Sequence, residues 1–408
     1  MLVVVTNMIK VKIEEKGDFM SISKIRFKGY DNSLERKTIG DITTSFSGGT
    51  PKSSNKAYYE GNIPFIRSGE IKSKQTELLI SDEALKNSSA KMVEKGDILY
   101  ALYGATSGEV AISQINGAIN QAILAIKPNS GYSSEFIMNY LKKEKENILE
   151  KYLQGGQGNL SAAIVKSIEL SLPSQDEQSA IGSLFRILDD LLASYKDNLA
   201  NYQSLKATML SKMFPKAGQT VPEIRLEGFE GEWEEKEFSK LVKRVTQSSD
   251  SDSLPKVEFE DIISGQGRLN KDISGKFDNR KGIHFKPGYT LYGKLRPYLN
   301  NWLLPKFEGV ALGDFWVFDP NGNDSNFIFY LIQSNRYQKV ANDTSGTKMP
   351  RSDWKSVSST IFGIPQTIAE QQAVGSYFSN LDNLIAAHQE KISQLETLKK
   401  KFLQDMFM

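Results

Sequence analysis

Two stretches of the chain carry apolar side chains at spacings that alternate between four and three residues for most of their length. Such heptad spacing predicts a long helix with one narrow apolar seam, so we expect the two helices to pack on each other. Neither stretch contains proline, and a proline precedes each one, at Pro173 and Pro365. The seam positions are Ile181, Phe185, Leu188, Leu192, Tyr195, Leu199, Tyr202, Leu205, Met209 and Met213, then Val374, Phe378, Leu381, Ile385, His388, Ile392, Leu395, Leu398, Phe402 and Met406.

The remaining sequence has a mixed pattern, with short β-rich runs broken by glycine, asparagine and proline. Strands are predicted over 97–102, 119–126, 289–295 and 310–318. Amphipathic helices are predicted over 132–152 and 325–340. We interpret His388, on the second seam, as a packed side chain and not as a ligand.

The two halves of the chain repeat one plan at an offset of 191 to 193 residues. A period of this length is far too long for a solenoid, so each copy must be a globular domain followed by a long helix. The matching landmarks are Glu70-Ile71 with Asp261-Ile262, Leu99-Tyr100 with Leu291-Tyr292, Gly117 with Gly309, Pro128 with Pro320, and Glu177-Gln178 with Glu370-Gln371.

The predicted fold class is α/β, with two similar mixed α/β domains separated by two long antiparallel coiled-coil helices in a pseudo-two-fold repeat. Residues 1–19 have no counterpart in the second copy, so we expect a disordered extension there, with Met20 as the alternative natural start. The predicted segments are 1–19 (extension), 20–172 (first domain), 173–214 (first long helix), 215–222 (hinge), 223–364 (second domain) and 365–408 (second long helix).

The composition and the missing motifs exclude several classes of catalytic site. The 408 residues include no cysteine and two histidines far apart, so thiolate nucleophiles and Cys- or His-pair metal sites are excluded. No glycine-rich loop ends in Lys-Ser or Lys-Thr, and no two prolines are adjacent, as the loop of adenine methyltransferases would require. No apolar run approaches the roughly 18 residues of a membrane helix, so a cytoplasmic protein is expected.

Positive charge is concentrated in two blocks. Residues 24–170 hold 19 Lys and Arg against 16 Asp and Glu, and residues 239–363 hold 18 against 13. Within the second block, nine basic residues lie between 267 and 306 against Asp272 and Asp278. A local surplus of this size suits a polyanion, although a solvated charged surface is the alternative interpretation.

Each copy carries its own ordered set of short motifs. The first copy has SGGTP at 47–51, GNIPFIR at 61–67, GDIL at 96–99, NQ at 120–121, and LP at 172–173 before EQ at 177–178. The second has PEIRLEGF at 222–229, GEW at 231–233, KLRPY at 294–298, GTKMP at 346–350, and IP at 364–365 before EQ at 370–371. This ordered set resembles the specificity subunit of type I restriction–modification enzymes.

The resemblance implies that each globular domain is a target recognition domain for one half of a split DNA sequence. It also implies that the helices act as a spacer and dock two methyltransferase subunits, with restriction–translocation subunits joining the assembly. The chain itself would be non-catalytic and would bind no cofactor. S-adenosylmethionine, ATP and magnesium are expected on the partner subunits.

The candidate DNA contacts are polar, basic and aromatic residues on predicted loops, since base edges need hydrogen-bonding side chains and phosphates need positive charge. The alternative for each is a role in stabilising a loop. Tyr100 and Tyr292 are predicted to be core residues. The candidates are Thr50, Arg67, Ser68, Lys72, Lys74, Tyr103, Gln157 and Asn159 in the first domain, and Arg268, Lys294, Arg296, Tyr298, Lys348 and Arg351 in the second.

Two other functions stay open on sequence grounds. One is a coiled-coil scaffold protein without DNA specificity, whose DNA binding would be wholly salt-sensitive and indifferent to sequence. The other is a self-contained DNA methylase or nuclease with an unrecognised site, which would turn over without partners.

Overall fold

The chain forms two compact units in a computed structural model. The structure describes residues 9–11, 25–30, 33–153, 159–343 and 348–407. Unit 1 comprises 1–194 and 392–408, and unit 2 comprises 195–391. Each unit therefore contains one globular domain and a part of both long helices, whereas the sequence placed the helices in segments of their own.

Unit 1 contains twelve described strands and four shorter helices before the first long helix. The strands are β1 (Ile9–Val11), β2 (Ile25–Phe27), β3 (Glu35–Thr38), β4 (Thr43–Ser47), β5 (Ile63–Ile66), β6 (Leu79–Ile80), β7 (Lys91–Val93), β8 (Ile98–Ala101), β9 (Val110–Ile112), β10 (Gly117–Ile119), β11 (Ile123–Pro128) and β12 (Glu169–Leu172). The helices are α1 (Ile39–Ile42), α2 (Asp82–Lys86), α3 (Ser134–Leu153) and α4 (Ala162–Lys166), followed by α5 (Gln175–Lys212).

The strands of unit 1 form two four-stranded sheets, in the orders β6-β5-β10-β7 and β4-β11-β8-β9, and two pairs, β1-β2 and β12-β3. All described pairings are antiparallel except β5 with β10, in which Phe65 lies opposite Ala118 and Ile66 opposite Ile119. Strand β8 is buried along its whole length, so its four residues read as a continuous apolar run.

Unit 2 contains a second set of twelve strands. They are β13 (Glu234–Glu237), β14 (Lys243–Val245), β15 (Ser248–Ser249), β16 (Lys256–Val257), β17 (Ile262–Ile263), β18 (Arg268–Leu269), β19 (Gly282–Phe285), β20 (Thr290–Gly293), β21 (Trp302–Leu303), β22 (Gly309–Ala311), β23 (Phe315–Asp319) and β24 (Ile361–Ile364). The helices are α6 (Phe238–Leu241), α7 (Ser325–Leu331), α8 (Asn335–Ala341) and α9 (Trp354–Ser359), followed by α10 (Ile368–Met406).

The sheets of unit 2 reproduce those of unit 1. The order β14-β23-β20-β21 matches β4-β11-β8-β9, and β24-β13 matches β12-β3. In the third sheet, β16 and β22 are parallel and β22 is antiparallel to β19, as β5, β10 and β7 are in unit 1. The predicted internal repeat of two mixed α/β domains is therefore confirmed by strand topology. Tyr100 and Tyr292, at matching positions of β8 and β20, are both fully buried, and this burial raises the pKa of each phenol to about 12.

The two long helices have 38 and 39 residues, which corresponds to about 57–59 Å each. In unit 1, the start of the first long helix packs against the end of the second: Lys399 pairs with Asp189, and the Phe407 ring lies 5.7 Å from the Phe185 ring. In unit 2, Lys206 near the end of the first pairs with Asp382 near the start of the second over 2.7 Å. The segments are thus antiparallel within each unit, as predicted.

One seam residue was predicted wrongly. Leu205 is 36% exposed, and the half-buried positions around it are Tyr202, Lys206 and Met209. From Leu199 and Tyr202 the alternation of three and four residues continues to Lys206 and Met209, and Leu205 lies outside it. The half-buried face therefore keeps the heptad spacing and passes through Lys206, whose charged end pairs with Asp382. His388 packs between the rings of Tyr195 and Tyr202 and lies 2.8 Å, through Nδ1, from the Leu384 carbonyl, which agrees with the prediction of a packed side chain.

Two repeated sequence motifs hold each globular domain to the helix that follows it. Arg26 Nε donates to Glu177 over 2.9 Å in unit 1, and Arg225 Nε donates to Glu370 over 2.8 Å in unit 2. The glutamine after each glutamate donates to the carbonyl of the helix-preceding proline, over 2.9 Å to Pro173 and 3.3 Å to Pro365. The repeated Ile-Arg and Glu-Gln pairs therefore have a structural role, since both carboxylates are buried and bound to a guanidinium.

Several predicted elements are divided by turns. The predicted strand 119–126 contains the end of β10 and most of β11, and 310–318 contains most of β22 and of β23. The predicted helix 325–340 is two helices, because Ser334 accepts from the Tyr337 N–H and starts α8. Within the extension expected to be disordered, β1 pairs with β2. The remainder of 1–19 lies outside the described residues.

Candidate nucleic-acid interface

In unit 1, two loops that are distant in the sequence pair through their backbones. Tyr103, just after β8, forms an isolated antiparallel bridge with Asn159. The Leu160 N–H donates to the Leu102 carbonyl over 3.0 Å, and the Leu102 N–H donates to the Ala122 carbonyl over 2.8 Å. Since the main chain makes these bonds, the Tyr103 and Asn159 side chains stay exposed. We call residues 102–104 and 159–160 the unit 1 platform.

Unit 2 has the same arrangement after β20. Leu295 forms an isolated antiparallel bridge with Arg351. The Ser352 N–H donates to the Lys294 carbonyl over 2.9 Å, and the Lys294 N–H donates to the Asp314 carbonyl over 2.9 Å. We call residues 294–296 and 350–352 the unit 2 platform.

The two platforms are equivalent residue by residue. Adding 192 to the residue numbers of the unit 1 bridge, and of both hydrogen bonds beside it, gives the bridge and the bonds of unit 2. The next position also agrees, because Gly104 has φ +74° and Arg296 has φ +49°. The backbone is thus repeated while the side chains differ, which is the property expected of paired reading sites with different targets.

Charge on the unit 2 platform is partly neutralised. Asp314 lies 2.9 Å from the Arg351 guanidinium and 3.6 Å from the Lys294 ammonium. The exposed Arg296 side chain has no hydrogen-bond or ion-pair partner among the described residues, and the same is true of Lys348. These two cations are therefore available to an incoming anion.

Large apolar side chains stand beside these cations. Tyr298 is 58% exposed and Met349 is 53% exposed, and Leu299 is also exposed. Aromatic rings next to unpaired guanidinium and ammonium groups suit nucleic acid, because bases stack on the rings while phosphates pair with the cations.

A family model described as "Type I restriction modification DNA specificity domain" matches the chain twice, over residues 32–204 and 236–397. The chain belongs to this family. The resemblance drawn from the sequence is thereby confirmed, and the same match supports the predictions of a specificity subunit and of a non-enzyme. The two matched ranges coincide with the two copies of the repeat.

Specificity subunits from other organisms are similar along most of their length. The chain is 23% identical over 384 residues to the MjaIX specificity subunit of Methanocaldococcus jannaschii, covering 84% of each chain. It is 21% identical over 392 residues to the MjaVIII specificity subunit of the same organism, covering 90% of each. The crystal structure of the type I restriction–modification S subunit from M. genitalium has the same fold, with a TM-score of 0.60 at 14% identity over 93% of this chain and 97% of that one.

Several unit 1 candidates lie at the sheet edge next to the specificity subunit's first platform. The parallel strands β5 and β10 end there, so Arg67 and Ser68 come close to residues 120–121, which lead to Ala122. Thr50 donates to the Gln121 side chain over 2.6 Å. The backbone of Gly48 lies so near the Ile119 carbonyl that a Cβ there would stand 1.9 Å from it. The SGGTP motif therefore fixes the loop that presents Thr50.

Two unit 1 cations are already paired. The Arg67 guanidinium donates to Glu70 over 3.0 Å and to Glu77, and these bonds raise its pKa. Lys72 pairs with Glu109, which also binds Lys145; the bonds to Lys145 and then Lys72 lower the pKa of Glu109 to about 2. Contact with DNA would require these pairs to exchange partners.

The other first-domain candidates have mixed positions. Lys74 is exposed and has no partner among the described residues, and Ser68 is half-buried at the start of a 3₁₀ turn. Gln157 lies outside the described residues.

Arg268 is not on the unit 2 platform. Its guanidinium donates to Gln266 over 2.9 Å and to Gln389 of the second long helix over 3.0 Å. Arg268 lines a cavity of about 200 Å³ between the turn that joins β17 to β18 and the long-helix segments of unit 2. A role in holding the recognition domain on the helices explains its contacts without DNA.

The basic block at 267–306 is less positive than its composition indicates. Lys271 and Lys276 both pair with the buried Asp261, over 3.1 and 2.7 Å. Arg280 pairs with Asp278 and with Glu258, each over 2.7 Å. The carboxylates of Glu258 and Asp261 precede the block in sequence, which is why a count confined to 267–306 missed them.

Sequence reasoning also missed Met349, Leu299 and Asp314. Met349 lies in the GTKMP motif and Leu299 directly follows the KLRPY motif. Only basic and aromatic residues were taken as candidates there, so these apolar residues were not considered. Asp314 follows a buried strand, and its ion pairs link residues that are 20 and 37 positions away. Such pairings have no local sequence signature.

Within the described ranges, no helix is both long and apolar enough to cross a membrane. The same part of the chain holds no group of three or more His, Cys, Asp or Glu side chains placed to bind a metal ion.

Proposed function

We propose that each unit reads one half of a bipartite DNA sequence through its platform and the loops beside it. The observation that carries this proposal is the residue-by-residue equivalence of the two platforms, which share backbone hydrogen bonds and differ in side chains. Tyr103 and Asn159 would contact the first half, and Thr50, Arg67, Ser68, Lys72 and Lys74 are further candidates for that contact. Gln157 stays a candidate from the sequence alone. Arg296, Tyr298, Lys294, Lys348 and Arg351 would contact the second.

We further propose that two methyltransferase subunits dock on the long helices and that restriction–translocation subunits join them. Both helices keep large apolar side chains exposed, including Ile187 on the first and Ile368 and Leu384 on the second. Burying these side chains against a protein partner would remove apolar surface from water. S-adenosylmethionine, ATP and magnesium would be bound by those partners, and the assembly would act on DNA in the cytoplasm.

A domain exchange tests the bipartite model. Residues 24–170 are replaced by the corresponding segment of a specificity subunit with a different target, and methylated adenines are mapped in cells that also express the cognate methyltransferase. The expected result is a new first half and an unchanged second half. The matched control exchanges 239–363 and should change only the second half. A change in both halves after a single exchange contradicts the proposal.

The same strains separate the alternative functions. A scaffold without DNA specificity would give no reproducible methylation sequence with either chain. A self-contained enzyme would methylate or cleave DNA when purified without partners, with S-adenosylmethionine or magnesium supplied.

A further inference from the structure

Arg296 has a backbone conformation that arginine rarely adopts. Its φ and ψ are +49° and +61°, in the left-handed region that favours glycine. The next residue is Pro297, and a residue before proline favours an extended conformation instead. The equivalent residue of unit 1 is Gly104, which takes the same region without a side-chain penalty.

The loop around Arg296 is held on every side. The Arg296 N–H donates to the Pro350 carbonyl over 2.7 Å, and its carbonyl accepts from the Leu299 N–H over 2.9 Å. The Ser264 hydroxyl donates to the Leu299 carbonyl, and the Gly265 N–H donates to the Asn300 carbonyl over 3.0 Å. These bonds fix the direction in which the Arg296 side chain leaves the backbone.

An arginine at this position contributes nothing to the fold that glycine would not supply better. Its guanidinium is exposed and bonded to no other described residue, whereas Lys294 and Arg351 on the same platform share Asp314. Strained residues held by their surroundings are typical of functional positions. An unpaired guanidinium on a fixed backbone offers two parallel N–H donors, which match the O6 and N7 acceptors of guanine in the major groove.

We propose that Arg296 recognises a guanine in the half-site read by unit 2, and that unit 1 makes no base contact at the equivalent position. This inference rests on the proposed function of the platforms and names the chemistry of one of them. Base recognition by unit 1 then falls to the side chains of Tyr103 and Asn159, which flank Gly104.

The test compares Arg296→Gly and Arg296→Lys in the full chain assembled with its methyltransferase. Bound sequences are selected from duplex DNA randomised across both half-sites, and affinities are measured for the selected site and its single-base variants. Arg296→Gly should lose roughly 5- to 150-fold of discrimination at one G·C position of the second half. The first half should be read as in the wild type.

Arg296→Lys separates base recognition from phosphate binding, because lysine keeps the charge but lacks the planar fork. We expect it to keep most of the overall affinity and to lose most of the guanine preference. Full recovery of that preference by lysine would overturn the proposal, as would an unchanged sequence preference in Arg296→Gly.

Two further readouts keep the outcomes distinct. Because glycine suits the left-handed region, the Tm of Arg296→Gly should equal or exceed that of the wild type, so lost discrimination cannot be attributed to unfolding. If the wild type itself selects no bipartite sequence, the proposed function fails. If the wild type selects one and Arg296→Gly selects the same one, only the assignment of Arg296 fails.

Discussion

The two platforms share one backbone arrangement but carry different side chains. In unit 1 the paired positions carry Leu102, Gly104, Ala122 and Asn159, and in unit 2 they carry Lys294, Arg296, Asp314 and Arg351. The hydrogen bonds that hold both platforms use only main-chain groups, which every residue except proline can supply in full. These bonds therefore do not depend on which side chains the positions carry, so the side chains can differ between the two platforms.

A second pair of positions shows the same separation with the charge reversed. At the end of β5, Arg67 is bonded to Glu70 three residues later, and at the end of β16, Glu258 accepts from Lys276 and Arg280. Both residues precede a 3₁₀ turn whose third residue is acidic, Glu70 or Asp261. The acidic third residue is common to both turns, whereas the residue before the turn is basic in unit 1 and acidic in unit 2.

The largest expected effects concern the helix ends, which test whether the units are stabilised independently. Phe407 is buried against Phe136 and Phe185 in unit 1, and Phe214 against Phe327 and Phe378 in unit 2. Phe407→Ala and Phe214→Ala should each cost about 4 kcal/mol because each leaves a cavity. Hydrogen exchange should show faster opening in the strands of the matching unit, and equal loss in both units would show that they unfold together.

The next effect compares the buried ion pairs. Glu370 accepts from Arg225 and also from the Trp233 indole over 3.0 Å, while Glu177 accepts from Arg26 without an indole bond among the described residues. Glu370→Ala should cost about 3 kcal/mol, since it removes the carboxylate that pairs with the Arg225 charge and leaves the Trp233 indole N–H unpaired. The guanidinium keeps its bonds to the Glu230 and Gly231 carbonyls. Glu177→Ala should cost about 1 kcal/mol less. Urea unfolding of both variants measures the difference, and an equal or reversed order would contradict this account.

A smaller effect concerns Asp314, the acidic residue that pairs with Lys294 and Arg351 of the unit 2 platform. Asp314→Ala gives unit 2 the residue that unit 1 has at Ala122 and frees Lys294 and Arg351. We expect DNA affinity to rise by about 1 kcal/mol and to become more dependent on salt. The reciprocal variant Ala122→Asp should weaken binding by a similar amount. Titration of the assembled complex at two salt concentrations provides the measurement.

The smallest effect is the pH dependence that Glu109 gives to the stability of unit 1. Hydrogen bonds from Lys145 and Lys72 lower the pKa of Glu109 from 4.5 to about 2. Its contribution to stability is therefore fully present above pH 4.5 and is lost as the pH falls toward 2. Glu109→Gln should flatten the stability of unit 1 across this interval.

Unit 2 provides the internal control for this measurement, because its equivalent residue is the neutral Asn301. The Ala101 N–H donates to the Glu109 carbonyl, and the Gly293 N–H donates to the Asn301 carbonyl in the same way. If Glu109→Gln leaves the acid sensitivity of the unit 1 strands unchanged, other carboxylates account for it.

The repeat, the mixed α/β class and the two helices could be predicted because each has a periodic or repeated signature. The failure at Leu205 has a different cause, since an apolar residue was chosen although the heptad spacing of the seam leads to the half-buried Lys206. The Ile-Arg and Glu-Gln motifs were found as repeats, but their pairing of Arg26 with Glu177 spans 151 residues and could not be read locally.

The candidate site was predicted in part. The sequence pointed to Tyr103, Asn159, Lys294, Arg296 and Arg351, and the structure brings them onto two equivalent platforms. The sequence could not reveal the left-handed conformation of Arg296, because an arginine in a sequence gives no indication of positive φ. The DNA contacts themselves remain predictions for the experiments above.

The division of the two units along the chain has a consequence for synthesis on the ribosome. All of unit 2 lies within residues 195–391, so its parts emerge in one continuous run. Unit 1 begins to emerge first, yet the Phe407 ring that fills its core against Phe136 and Phe185 is made after all of unit 2. Unit 1 of a nascent chain therefore stays incomplete until translation has passed residue 407, and a chain truncated between residues 391 and 407 contains all of unit 2 but only part of unit 1.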